Sequence, residues 1–348
     1  MASDLIDWDL AVGTARRLTP PGPQIDRSEA DVVVADLRRL AVEAERHVED
    51  YTQLHPAGLP APVVVVDRPE WIRSNVDGLR ILTDPLIETL MQRRPGRTTM
   101  AVGKRITGVQ IGAALAFLST KVLGQYEPFA GGRLSLVAPN IVAVEQQLGV
   151  DPRDFRMWVC LHEQTHRTQF TAVPWLREHM ESEIAAFVAA TDLDPSALAE
   201  RLRSAVRAVR EPSASLVEAL QTPAQREVLD RLQALMSLLE GHADQVMDAV
   251  GPRVVPTVTQ IREKFEVRRG GGSPLDRFVR RLLGLDLKLQ QYRQGGAFVR
   301  SVVAAVGVAG FNEVWRSPES VPTRAEIAHP DAWTRRVLGI PGTPAVPA

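Results

Sequence analysis

His162-Glu163-Gln164-Thr165-His166 is the stretch of this chain whose residue types and spacing could do chemistry. On a helix, residues four apart lie about 40° apart around the axis and one turn along it, so two imidazoles can offer nitrogens to a single ion. Glu163 then stands one step round, where a carboxylate can take a proton from water that a cation has acidified to a pKa of about 7. The chain has seven histidines, and residue frequencies put the chance expectation of the motif at roughly 0.01 per chain of this length. A metal site is the stronger reading. Two imidazoles and a carboxylate make Zn2+ the leading ion.

Catalytic zinc usually keeps three protein ligands, so a third is required. The metzincin pattern wants a glycine three residues after the second histidine and a third histidine three further on, but Gln169 and Ala172 stand there. A glutamate is the natural substitute. The nearer region, residues 175–187, offers Glu178, His179, Glu181 and Glu183; the farther offers Glu240, followed four residues later by Asp244. Glu240 is preferred, because an aspartate at that spacing can accept the hydrogen bond from the non-metal nitrogen of a ligating histidine. Positions four after Glu178, Glu181 and Glu183 hold Ser182, Ala185 and Phe187. Glu183 and His179 stay in reserve.

These side chains need helices to hold them. Asp151 as N-cap, Pro152 at the first helical position and Asp154 in the first turn predict a helix over 152–170 that carries the motif. Leu232, Leu235, Leu239, Val246 and Val250 support a helix over 223–250 that carries Glu240 and Asp244. Further helices are expected over 28–52 with Ser28 as N-cap, and around 140–149, 175–191, 195–210, 213–221, 274–292, 295–307 and 331–338. The β-branched run 61–66 reads as a strand, and the alternating run 132–137 as a second strand at a sheet edge. Residues 106–123 are apolar enough to suggest a membrane span, yet Gln110, Ser119, Thr120 and Lys121 favour a buried helix whose Gly108 and Gly112 let another helix approach closely. The element pattern is mainly α (α+β) with a small sheet. It is expected to form one unit over 1–338, an N-terminal helical part (1–130) and a metal-site part (131–338), with a flexible tail over 339–348.

Composition narrows the function classes. Lys+Arg 41 against Asp+Glu 42 gives a net charge of −1 over 348 residues, and the arginine pairs are scattered, so no nucleic-acid partner is expected. The lone Cys160 excludes an intramolecular disulfide framework and points to a small core residue. The acidic start lacks a secretory pattern, and a cytoplasmic protein without a membrane partner is expected.

Taken together, His162 to His166 with Gln169-Phe170, Pro174-Trp175-Leu176, Glu240-Gly241-His242-Ala243, the segment Ile6 to Ala11 and Gly124-Gln125-Tyr126 resemble a family of bacterial zincin-type proteins, over about 6–337. Its members are described as hydrolases or as associated with biosynthesis of a deazaflavin coenzyme. The resemblance implies a zincin-like, predominantly helical fold with a His-Glu-x-x-His metal site.

The expected reaction is zinc-dependent hydrolysis of a peptide or other amide. His162, His166 and Glu240 hold the metal, Glu163 takes the proton of the attacking water and passes it to the leaving amine, and Asp244 orients one histidine. An extended substrate would pair with the edge strand at 132–137. Tyr292 and His242 are the candidate donors to the oxyanion, although His242 lies roughly 200° around the helix from Glu240. The alternative is a non-hydrolytic zincin scaffold acting as a binding or assembly module in a coenzyme pathway. An intact Glu163 favours the hydrolase, since a purely structural site has no use for a base.

Overall fold

In the computed structural model the described residues are 6–57, 62–92, 100–190, 222–270 and 285–340. Along them run α1 (Trp8–Leu18), α2 (Arg27–Thr52), β1 (Val63–Val66), α3 (Arg68–Gln92), α4 (Met100–Ser119), β2 (Gly124–Glu127), β3 (Arg133–Val137), α5 (Ala138–Leu148), α6 (Pro152–Ala172) and α7 (Leu176–Ala189). Beyond residue 221 follow α8 (Pro223–Val254), α9 (Val258–Gly270), α10 (Leu285–Phe311), two short 3-10 turns, α11 (Arg324–Ala328) and α12 (Pro330–Leu338). The mainly helical fold with one small sheet is as expected. The helices expected over 195–210 and 213–221, and the tail beyond 340, lie outside the described residues.

The sheet corrects one expectation. Its order is β1-β3-β2, so β3 is central, parallel to β1 and antiparallel to β2. The alternation of β3 suggested a wet face, but Ser135 is only 4% exposed and Leu134, Leu136 and Val137 are fully buried. A small hydroxyl residue fits a covered face as readily as a wet one. The edges are β1 and β2, and the Gly-Gln-Tyr-Glu sequence of β2 lacks the apolar run that announces a strand.

α6 is fixed before it reaches the metal motif. Asp151 accepts from the Asp154 amide at 2.9 Å, the cap expected from sequence. Asp154 in turn accepts from the Thr257 amide and hydroxyl, at 2.9 and 2.7 Å, tying the helix start to the approach of α9. Along its length α6 lies on α2. Gln164 donates to the Ala41 carbonyl at 2.8 Å, and Arg167 pairs with Glu45 at 2.8 Å. Arg156 makes two bonds to Glu145 of α5, at 3.0 and 2.6 Å, and a third to Asp36 of α2 at 3.2 Å. Buried Leu37, Leu40, Ala41, Phe155, Met157 and Leu161 fill the same interface. α2 itself starts from Asp26, which accepts from the Glu29 amide, and not from the expected Ser28, whose hydroxyl donates to Asp26.

Two glycine contacts decide how closely helices approach. A Cβ at Gly108 would lie 2.5 Å from the Asp7 carbonyl, and one at Gly112 would lie 2.5 Å from the Ala11 carbonyl, so α4 rests on α1 through the pair singled out in the sequence. Ile106 and Val109 on its other side are 53% and 44% exposed, so this helix is covered on one side and is not the buried helix expected. At the second contact, a Cβ on Gly241 would come within 2.3 Å of the Gly295 backbone, which seats α10 directly on α8. Among the described residues, one helical segment is long and apolar enough to cross a membrane, Gln294–Trp315. Its Phe298, Val299 and Val302 join Leu235, Leu238 and Leu239 in one core cluster, and Gly307, at φ 74°, breaks its helical geometry.

Candidate metal centre

The two motif imidazoles meet at their Nε2 atoms, 3.2 Å apart, and Glu240 reaches them from α8, with Oε2 3.8 Å from His162 and Oε1 3.8 Å from His166. All three donor atoms lie within 4.8 Å of one another. Donors held 2.0–2.1 Å from a tetrahedral zinc ion are about 3.3 Å apart, so the donor set fits such an ion once the Glu240 carboxylate closes toward the rings. Glu183 and His179 are placed elsewhere. Glu183 pairs with Arg231 at 2.9 Å, and His179 packs edge-on against Trp175.

The tautomer of His166 follows from a neighbour that sequence reasoning passed over. Gln169 Nε2 donates to the Leu239 carbonyl at 2.9 Å, a group that can only accept, so the amide orientation is fixed. Its Oε1 therefore accepts from His166 Nδ1 at 3.0 Å, leaving the Nε2 lone pair aimed at His162 and Glu240. Gln169 Nε2 also donates to Nδ1 of His242 at 3.0 Å. The signal is in the sequence: residue i+3 shares a helical side with residue i, which places Gln169 beside His166.

His242 sits at the back of the site, away from the cleft. It is 2% exposed, packed between Phe311 and Trp315 at ring distances of 5.2 and 5.4 Å. Burial, helped by nearby His166, pushes its pKa down to about 3, so it is neutral and able to accept from Gln169. This position does not suit the oxyanion donor expected of it. Tyr292 belongs to α10, and its side chain lies outside the described residues. Asp244 is one turn beyond Glu240 on α8; a Cβ at Gly296 would lie 3.7 Å from its Oδ2. Cys160 is buried with its thiol toward the Leu37 carbonyl, and burial raises its pKa.

Glu163 is 5% exposed and lies beneath the edge strand. A Cβ on Gly124 would stand 2.5 Å from its Cγ and 2.9 Å from its Oε1, so the glycine leaves room for this side chain. Burial, and then the charge of Glu240, push its pKa up to about 8. A cation held by the neighbouring triad would favour the carboxylate form again. The triad and Glu163 open onto a cavity of about 320 Å³ bordered by β2, the loop after it, α6, α7 and α8.

A helical fold with a His-Glu-x-x-His helix and a glutamate from a later helix defines a zincin-like metallohydrolase. The profile of the zincin-like metallopeptidase family matches residues 6–334, and the chain belongs to that family. A crystal structure described as "a putative hydrolase with a novel fold", from Chloroflexus aurantiacus, is similar over 95% of this chain and 98% of its own, with 35% sequence identity and a TM-score of 0.71. No curated protein matches the chain.

Proposed function

We propose that this protein is a zinc-dependent hydrolase of peptide or related amide bonds, with His162, His166 and Glu240 as metal ligands and Glu163 as general base. The observation that carries the reading is the convergence of the three donor atoms within 4.8 Å of one another, with Glu163 beside them on the same cavity. Bound zinc supplies Lewis-acid polarisation of a carbonyl and acidifies water to a pKa of about 7. Glu163 accepts the proton of the attacking water and returns it to the leaving nitrogen. Asp244 has His162 as the imidazole left for it to orient, because Gln169 already holds His166.

The substrate backbone pairs with β2, the half-buried sheet edge that borders the cavity, and not with the central β3. Tyr126, at the third position of β2, is one of the residues that line the cavity. Burial raises its pKa, so it stays a donor at neutral pH and is the candidate for the oxyanion.

Glu163→Gln tests the reading. The variant should bind zinc in 1:1 ratio and keep its fold, while turnover of a mixed peptide substrate falls about 10²–10⁴-fold. Undiminished hydrolysis by that variant would refute the assignment of the base. Unchanged biological activity with hydrolysis lost would favour the non-hydrolytic module.

A further inference from the structure

The far wall of the cavity is built from residues one helical turn away from the metal ligands. Phe170 follows His166 by four positions on α6, and Met236 precedes Glu240 by four on α8. At that spacing each shares a face with its ligand. Leu239 joins Met236, Met180 enters from α7, and Phe129 closes the side next to the edge strand. Tyr126 rests against Phe170 with ring centroids 5.8 Å apart.

The acidic groups bordering this space are already engaged or face the metal triad. Both oxygens of Glu127 are used by backbone amides, those of Phe129 at 2.7 Å and Ala130 at 2.8 Å. Glu163 and Glu240 stand at the triad itself. Among the described residues the remaining wall is uncharged. Ligand pockets run from about 300 to 1,000 Å³, so a cavity of about 320 Å³ is at the small end and suits one side chain with its reacting amide.

We infer that this wall is a specificity pocket for a bulky apolar side chain, leucine, methionine or phenylalanine, next to the scissile amide. The inference rests on the proposed metallohydrolase reading and names its substrate class. Two methionines in the wall imply tolerance among apolar shapes, because an unbranched thioether side chain repacks easily. A charged side chain would lose its hydration there without gaining a counter-charge.

The test uses the zinc-loaded full chain and N-acetyl amino acid hydroxamates, whose head group binds the metal. The glycine hydroxamate is the reference without a side chain. Leucine and phenylalanine hydroxamates should bind about 10–100-fold tighter than glycine, the gain expected from burying one such side chain. Lysine and glutamate hydroxamates should bind no tighter than glycine. Met236 is 36% exposed, so the fold should accept Met236→Glu, which should cancel the apolar advantage and shift preference to lysine at unchanged zinc stoichiometry; Met236→Leu should keep the apolar advantage. Equal affinity for all side chains, or a lysine preference in the unmodified chain, would overturn the pocket while leaving the metal centre standing. A chain that takes up no zinc, or holds zinc without binding the glycine hydroxamate, would overturn the reading underneath and the pocket with it.

Discussion

Two sides of the seam between α6 and α8 treat polar groups in opposite ways. At the back, Gln169 satisfies the Leu239 carbonyl, His166 Nδ1 and His242 Nδ1 at once, and Phe311 and Trp315 seal the arrangement. At the front, the Nε2 atoms of His162 and His166 and the Glu240 carboxylate point at one another and into a cavity. The contrast shows how the fold readies a ligand. Hydrogen bonds at the back fix which imidazole nitrogen carries the proton, so the other nitrogen is available at the front without rearrangement. Glu163 extends the contrast, because it belongs to the front chemically yet is as buried as the back.

That comparison can be broken at several points. Gly124→Ala puts a methyl group where the Glu163 side chain now lies. Zinc content should stay at the wild-type level while turnover drops about 10²-fold, the scale of a displacement near 1 Å at a reacting group. Metal analysis beside a kcat measurement checks it, and full turnover would show that Glu163 does not need its present position.

Gln169→Leu keeps the bulk at the back and removes its hydrogen bonds. Zinc affinity, measured by competition with a chelator, should fall about 10–100-fold. An unchanged affinity would reduce the back of the seam to packing.

The smallest effect concerns the metal-free protein. Glu163 has its folded-state pKa raised from the ordinary 4.5 to about 8. The folded state therefore holds this proton more tightly than the unfolded chain does, and the resulting stability, full below pH 4.5, is lost as pH rises to about 8. The Tm of metal-free protein should decline across that window, and Glu163→Gln should flatten the decline. Added zinc should oppose it by favouring the carboxylate. A decline of equal size in the Gln variant would assign it to other groups.

Much of the site was legible because it depends on helical periodicity. His162 and His166 share a face by spacing alone, and Asp151 and Pro152 mark the start of their helix as the structure has it. Glu240 was reachable through its spacing to Asp244 and through the family resemblance. Elements whose identity comes from neighbours were harder to read. β2 is a strand because β3 lies beside it, and β3 is central because β1 pairs with its other side. The helices α1 and α3 were also not anticipated. Trp8 and Trp71, one on each, bury themselves in a shared core with Leu115 of α4.

The sequence by itself determined the chemistry available: two imidazoles one helical turn apart, a glutamate between them, a further glutamate 74 positions beyond His166, and a net charge of −1. Only the tertiary structure decided that α8 brings Glu240 to the rings, that Gln169 sets the His166 tautomer, that His242 faces a dry core and that an edge glycine leaves room for Glu163. The reason is physical. Periodicity is a local property of the backbone, whereas burial, tautomer and cavity shape depend on atoms supplied by segments remote in the chain.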